Sequence, residues 1–431
     1  MKRCYFFLHH TSRSFAAVTE ALHPELREVV MIFYLVLRAL DTIEDDTSLS
    51  PEVRVPILRS FKDNLKTRDW TFNGSSPTEK DRIVLVEFNV VLDVYHSLKP
   101  AYQDIIHEMT DRMGNGMADY VLKESAKNYD GVKTIKDYDL YCHHVAGIIG
   151  EGLTRMAVIA KFCEPDLYDR THLHNSMGLF LQKTNIIRDF REDLDEGRSF
   201  WPKEVWSKYG KSLVEFTDPQ NQVQAIHCVS DLITLSLNHV IDCLDYLRSL
   251  NEPTYFRFAA IPQVMSIATL DLIFHNPEMF HKNVKIRRGL TAKLILESKT
   301  MDGVYKIFRE YVLKIHFKNK PSDPSYQKIE MLCAKIDAYL DKHDPNSAAS
   351  IQRKKVGQNY NDISPFGIFL VAGASLTVTF GLMIGIAILF GARFDVVFAE
   401  LKSFANRLLS NDVSADEAKH LIGRALGRPD L

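Results

Sequence analysis

The segment Met31–Asp46, MIFYLVLRALDTIEDD, spaces Tyr34, Arg38, Asp41 and Asp45 at steps of four, three and four residues, so one face of a helix carries all four. Glu44 lies three residues after Asp41 and joins the same stripe. Taken alone, such a run reads equally as a solvated helix end with an internal ion pair. A second copy alters that reading: Leu181–Asp195, LQKTNIIRDFREDLD, has the same helical kind of spacing, with Gln182, Asn185, Asp189 and Asp193 at steps of three, four and four, and sets Arg188 and Glu192 beside them. Like charges four residues apart on a helix repel by a few tenths of a kcal/mol, so acidic stripes on two apolar helices imply a cation that rewards them. Mg²⁺ suits the role, because it takes octahedral oxygen ligands and joins a few carboxylates to substrate phosphates. The chemistry this permits is departure of an allylic diphosphate. Cations neutralise the leaving group, while an apolar pocket keeps the remaining carbocation from water.

Rigid helices must hold these stripes, and helical periodicity runs from Glu25 to Tyr339 with breaks at clusters such as Asn73–Pro77. The expected fold is all-α, a single large helical bundle over residues 1–343. Phe258–Phe274 is apolar but interrupted by Pro262, Gln263 and Asp271, and reads as a buried core helix rather than a span. Lys318–Ser325, with two prolines, sets off a last charged helix at Tyr326–Lys342. A polar linker is expected over 344–365, a transmembrane helix over 366–390 and a tail over 391–431. Phe366–Phe390 carries no charge and is long enough to cross a hydrocarbon core of about 30 Å. Within the tail, Val396–Leu409 has amphipathic helical spacing.

Composition excludes several function classes. With 53 basic and 55 acidic residues in 431, the formal charge of −2 offers no general field for nucleic acid, so phosphate recognition must be local. Six cysteines show no CxxC pair or metal-ligand spacing, as expected of reduced thiols. The apolar run Tyr5–Leu8 gives way at once to His9, His10 and Arg13, so no secretory signal is expected, and the part before the membrane is expected on the cytosolic side. A ferritin-like di-iron site would need Glu-x-x-His pairs within a bundle; Glu20–His23 and Glu278–His281 sit at helix ends beside prolines. GIIGEG at Gly147–Gly152 has the wrong spacing for a dinucleotide fingerprint and lies within a helix.

From Arg3 to about Lys314 the chain resembles the squalene synthase family of head-to-head prenyl transferases. TSRSFAAV (Thr11–Val18), FYLVLRALDTIEDD (Phe33–Asp46), YCHHVAGIIG (Tyr141–Gly150), SMGLFLQKTNIIRDFRED (Ser176–Asp193), GRSFWP (Gly197–Pro202), AAIPQVM (Ala259–Met265) and VKIRRG (Val284–Gly289) carry the resemblance. It implies an isoprenoid-synthase-type bundle, monomeric in its catalytic domain and anchored in the endoplasmic reticulum membrane. Two farnesyl diphosphates would be joined as presqualene diphosphate, which loses diphosphate, rearranges and accepts a hydride, with Mg²⁺ and NADPH as cofactors. The segment ahead of TSRSF is shorter than the family's.

By matching position, Asp41, Glu44 and Asp45 would be the first Mg²⁺ ligands, and Asp189 and Asp193 would serve the second motif. Arg13, Arg38, Arg188, Lys285 and Arg287 would contact phosphates and NADPH, and Ser12, Phe15, Gln182, Asn185 and Arg198 would face substrate. Tyr34 would be an active-site phenol, Tyr141 the acid/base of the first half-reaction and Phe258 a wall of the second-step pocket. Read from residues alone, Tyr141 opens the helix YCHHVAGIIGEGLTR and serves equally as a core tyrosine, Phe258 as plain core, and Lys285, Arg287 and Arg288 as a solvated basic turn. The alternatives are a non-reducing dehydrosqualene or phytoene synthase, disfavoured by VKIRRG and the span, and an inactive membrane scaffold, which would have no need of mutually repelling carboxylates.

Overall fold

His23 starts the first acidic helix, Pro24–Asp45: its Nδ1 accepts the Glu25 N–H at 3.2 Å, and Pro24 occupies the first turn, where a missing N–H costs nothing. Val29, Val30, Ile32 and Val36 are weak helix formers, but they are buried together with Leu26, Phe33 and Leu40, so packing overrides propensity. Arg54 of the next helix, Pro51–Asn64, donates from Nη1 to the Glu44 carbonyl at 2.7 Å and satisfies one acceptor of the last turn. Beyond the end, the Asp46 carboxylate accepts the N–H groups of Ser48 and Ser76 at 3.0 and 2.8 Å.

The computed structural model describes residues 1–12, 15–125 and 131–344. Helices account for the architecture, and among the described residues the β content is one isolated bridge between Cys163 and Leu250. Arg13, the linker from residue 345, the expected span Phe366–Phe390 and the tail lie outside the described residues. The first acidic helix packs on Pro51–Asn64, Pro100–Glu124 and Ile148–Ala160. The second, Thr171–Arg188, packs on Ile148–Ala160, Gln222–Leu237, Val240–Arg248 and Pro253–Ile273. Pro253–Ile273 is apolar enough to cross a bilayer but is 72% buried inside the protein, the core helix expected from its sequence. The last helix among the described residues spans Tyr326–His343, and all six cysteines are buried and free.

Two glycines let neighbouring helices touch. A Cβ on Gly150 would lie 2.2 Å from the His174 carbonyl oxygen, and one on Gly178 would lie 2.3 Å from that of Ala146. Glycine is thus required on both sides of the seam between Ile148–Ala160 and Thr171–Arg188. Thr171–Arg188 also carries a polar chain that ties it to Ile135–Cys142 and to the start of Val240–Arg248. Lys183 Nζ meets Asp139 at 2.7 Å and His239 Nε2 at 2.9 Å, while Ser176 joins His239 Nδ1 at 3.0 Å and donates to Asp242 at 2.7 Å. Burial, reinforced by the Lys183 charge, lowers the His239 pKa to about 3, so this imidazole is neutral.

Candidate active site

Between the two acidic helices lies a cavity of about 240 Å³. Tyr34, Leu37, Arg38 and Asp41 line it from the first helix, and Met177, Gly178 and Leu181 from the second. Phe15, Phe33, Tyr246, Tyr255 and Phe258 complete an aromatic wall, with the Phe15 and Phe258 rings 4.8 Å apart. Asp41 keeps 31% side-chain exposure at the cavity, yet lost hydration raises its pKa to about 7 against the opposing charge of Arg38, 3.6 Å away. Burial opposes the charge of Arg38 itself, but Asp41, Tyr34 and Asp81 outweigh it and raise its pKa. Its guanidinium also stands 5.6 Å from the Tyr34 ring centroid.

One turn beyond Asp41, the two acidic motifs meet on a single guanidinium. Arg198 reaches Asp45 at 2.5 Å and Asp193 at 3.3 Å, and also pairs with Glu196 at 2.7 Å. Arg198 is held there by its own N–H, which donates to the Asp193 carbonyl at 2.8 Å, and by Trp201, whose Nε1 donates to the Ile186 carbonyl at 3.1 Å. Burial, with Asp189, Glu196 and Asp45 nearby, raises the Asp193 pKa to about 7 despite Arg198. Glu44 is likewise raised well above the usual carboxylate range by burial and by Asp45 and Asp41. A donor set made only of crowded carboxylate oxygens fits Mg²⁺. Among the described residues no three metal-ligating side chains converge into a ready cage, so metal held here would need oxygens from a bound phosphate as well.

Tyr141 stands where this acidic end meets a second cavity, about 480 Å³, whose wall also includes Tyr120, Lys123, Lys133 and His144. Its ring packs against Tyr120, at 4.5 Å, and Phe200, at 5.0 Å, which also touch each other at 5.7 Å, so the three rings form one cluster. Burial and the negative charges of Glu44 and Asp45 push its pKa well above that of a free phenol, so it is protonated and able to donate. Contrary to the sequence reading, Tyr141 does not open a helix. It lies near the end of Ile135–Cys142, after which His143–Gly147 forms a π-turn before Ile148–Ala160 resumes. His143 Nδ1, 2.8 Å from Asn175 Oδ1, ties that turn to the second acidic helix.

The second motif differs from the expected unbroken stripe. Thr171–Arg188 ends at Asp189, whose φ of −88° and ψ of 13° start the separate helix Phe190–Asp195. Four-residue hydrogen bonds persist through the kink, from Asp189 N–H to Asn185 and from Asp193 N–H to Asp189, so the carboxylates stay near one face. Arg188 forks onto Asp189 at 2.8 and 2.5 Å, and Arg191 turns to Asp195 instead of the motif's other carboxylates. Gln182 and Asn185 are half-buried without side-chain hydrogen bonds among the described residues. Ser12 closes the Lys2–Thr11 helix and accepts the Ala16 N–H at 3.0 Å. Lys285 and Arg287 are exposed on a loop that Asn283 joins to Glu192 at 2.8 Å. Sequence reasoning missed Asp81, 3.9 Å from Arg38, and the Tyr120–Phe200 clasp on Tyr141, for neither lies within an acidic stripe.

Comparison with known proteins bears on this geometry directly. The squalene synthase of Cyberlindnera jadinii is 56% identical over 80% of this chain and 77% of that protein. That of Saccharomyces cerevisiae is 51% identical over 80% and 78%. A probable squalene synthase of Neurospora crassa is 43% identical over 97% and 88%. In three dimensions a solved complex of TcSQS with the ligand E5700 superposes with a TM-score of 0.76 at 41% identity, covering 79% of this chain and 98% of that one. That likeness gives the helices the fold of an isoprenoid synthase. Residues 8–289, which hold both acidic motifs, the Arg198 bridge, Tyr141 and the aromatic cavity, match the squalene/phytoene synthase family, and the chain belongs to that family.

Proposed function

We propose that the chain is a squalene synthase, a farnesyltransferase that joins two farnesyl diphosphates head to head and reduces the product to squalene. The observation that carries this is the Arg198 bridge, which brings Asp45 and Asp193 together one turn from Asp41 in the wall of an aromatic cavity. A diphosphate held at the acidic end would leave its prenyl chain among Phe15, Tyr34 and Phe258, away from water.

Asp41, Glu44, Asp45, Asp189 and Asp193 would hold Mg²⁺, with Arg38, Arg188 and Arg198 as fixed cations. When bound, Mg²⁺ would stabilise charge on the departing diphosphate. Tyr141, kept protonated by burial and by the charges of Glu44 and Asp45, would pass its proton at the phenolic oxygen during the first condensation. Lys285 and Arg287 offer exposed charge for the phosphates of NADPH, which would supply the hydride that ends the second step. Residues 1–343 would act as a monomeric catalytic domain on the cytosolic side, linked by 344–365 to a span at 366–390 with the tail 391–431 beyond, in the endoplasmic reticulum membrane. The uncharged run Phe366–Phe390 and the relatives' shared name support that reading.

The test is product analysis by gas chromatography with mass detection, using the full chain in detergent with farnesyl diphosphate and Mg²⁺. Squalene formed only with NADPH, and presqualene diphosphate accumulating without it, is the expected result. A desaturated C30 product regardless of NADPH would select a non-reducing synthase, and no product a binding scaffold.

A further inference from the structure

One strongly polar side chain in the cavity is used by none of the roles above. Gln263, on Pro253–Ile273, lines the aromatic cavity at only 2% exposure. Its Nε2 donates to the Met177 carbonyl at 3.3 Å, which orients the amide. The oxygen, Oε1, is buried and accepts no hydrogen bond among the described residues. Leaving an amide oxygen unpaired in an apolar site costs roughly 1–3 kcal/mol, so an ordinary core position would favour leucine or methionine here.

Pro262 also lines the cavity and sits inside the helix, where it lacks the N–H that would donate to the Phe258 carbonyl four residues back. Phe258 lines the same cavity, its ring 5.9 Å from that of Tyr255 and 4.8 Å from that of Phe15. The unpaired Gln263 oxygen and several aromatic faces thus line one cavity, whose donors Tyr34 and Arg38 belong to the first acidic helix. An amide oxygen beside aromatic faces stabilises a buried cation and gains nothing from a neutral hydrocarbon.

We infer that Gln263 is a specificity-determining residue: its unpaired Oε1, beside the aromatic wall, holds the carbocation formed when the C30 diphosphate intermediate ionises, and so steers it to hydride capture. This inference rests on the squalene synthase reading above. Three fates compete for such a cation. Hydride addition gives squalene, water addition gives an alcohol and a released proton, and proton loss gives a further alkene. A dipole that holds the cation against the aromatic wall lengthens its life and keeps its charge away from water.

The experiment uses the full chain with farnesyl diphosphate, Mg²⁺ and NADPH, and reads the share of each C30 product per diphosphate released, a ratio independent of the amount of folded enzyme. Gln263→Leu removes the dipole, and Gln263→Met does so with a more flexible side chain should leucine fold poorly. In either variant the ratio of squalene to alcohols and alkenes should fall about tenfold. Gln263→Glu, neutral in so apolar a setting, keeps a carbonyl oxygen and a donor for Met177, and should restore most of the ratio. An unchanged product ratio in the leucine and methionine variants, with only a lower melting point, would make Gln263 a helix-to-helix tie and overturn the inference. Absence of squalene from the unmutated enzyme would instead overturn the functional reading beneath it.

Discussion

Tyr141 and Phe200 lie nearly parallel, with ring centroids 5.0 Å apart and planes 22° from each other. Phe200 is buried and stacks on Tyr120 as well as on the phenol, so the three rings brace one another. Tyr141→Phe keeps that stack and removes only the hydroxyl. Turnover of farnesyl diphosphate should fall by about 10²-fold or more, the range for a lost general acid, with little change in melting temperature. Phe200→Leu should lower both. Steady-state kinetics and a melting curve on each variant separate these outcomes, and a fully active Tyr141→Phe enzyme would take the phenol out of the chemistry.

Replacing the bridging guanidinium should expose the repulsion it now masks. Arg198→Gln leaves Asp45, Asp193 and Glu196 without their shared cation and should cost about 2 kcal/mol of stability in metal-free buffer. Added Mg²⁺ should recover more stability in this variant than in the parent, because it then takes over the neutralising charge. Thermal unfolding with and without the ion checks this, and equal shifts in both proteins would contradict it.

The glycine seam should tolerate no methyl group. In Gly178→Ala the new Cβ would meet the Ala146 carbonyl, a backbone atom that moves only with its helix. A loss of about 1–3 kcal/mol in urea unfolding is expected, with lower turnover because the displaced helix carries Tyr141. Gly197→Ala, a site with open space around it but a φ of +72°, should show backbone strain without a clash, felt first by its neighbour Arg198.

Acid should destabilise the fold through His239. Its folded pKa of about 3 lies below the ordinary value of 6.5, so the unfolded chain binds the extra proton first. The stability this neutral ring contributes is therefore present above pH 6.5 and is lost as pH falls from there toward 3. Lys183 at 2.9 Å and Ser176, itself bonded to Asp242, are the groups that face it. In His239→Gln the slope of stability against pH between 7 and 5 should be shallower. Equilibrium unfolding across that range tests it, and an unchanged slope would assign the acid sensitivity elsewhere.

Both acidic stripes, Arg38 and the apolar flanks of their helices were legible because residue type and a 3.6-residue period suffice to put them on one face. The core helix at Pro253–Ile273 was legible for the same reason, its prolines and Asp271 ruling out a span. Arg198 was a different matter. Its reach to Asp45 depends on the turn that buries Trp201 under Ile186, a tertiary fact without a local period. The kink at Asp189 and the Tyr120–Phe200 clasp escaped likewise, since one is a backbone rotation and the other joins distant parts of the chain only through folding. Gln263 was noted in the sequence as an interruption of an apolar run, and only the cavity gave that interruption meaning.

The π-turn at His143–Gly147 sets the phase between two halves of one continuous rod. In a straight α-helix each residue advances the side-chain direction by about 100°, so an extra residue in one turn offsets everything after it by that angle. Upstream, Tyr141 is indexed to the acidic end; downstream, Gly150 is indexed to the His174 backbone. Removing one residue from HHVAG would leave the composition nearly untouched and yet force a choice, with either the phenol or the glycine rotated off its mark. The turn therefore works as a vernier, letting a reactive residue and a packing residue on the same rod be aimed independently.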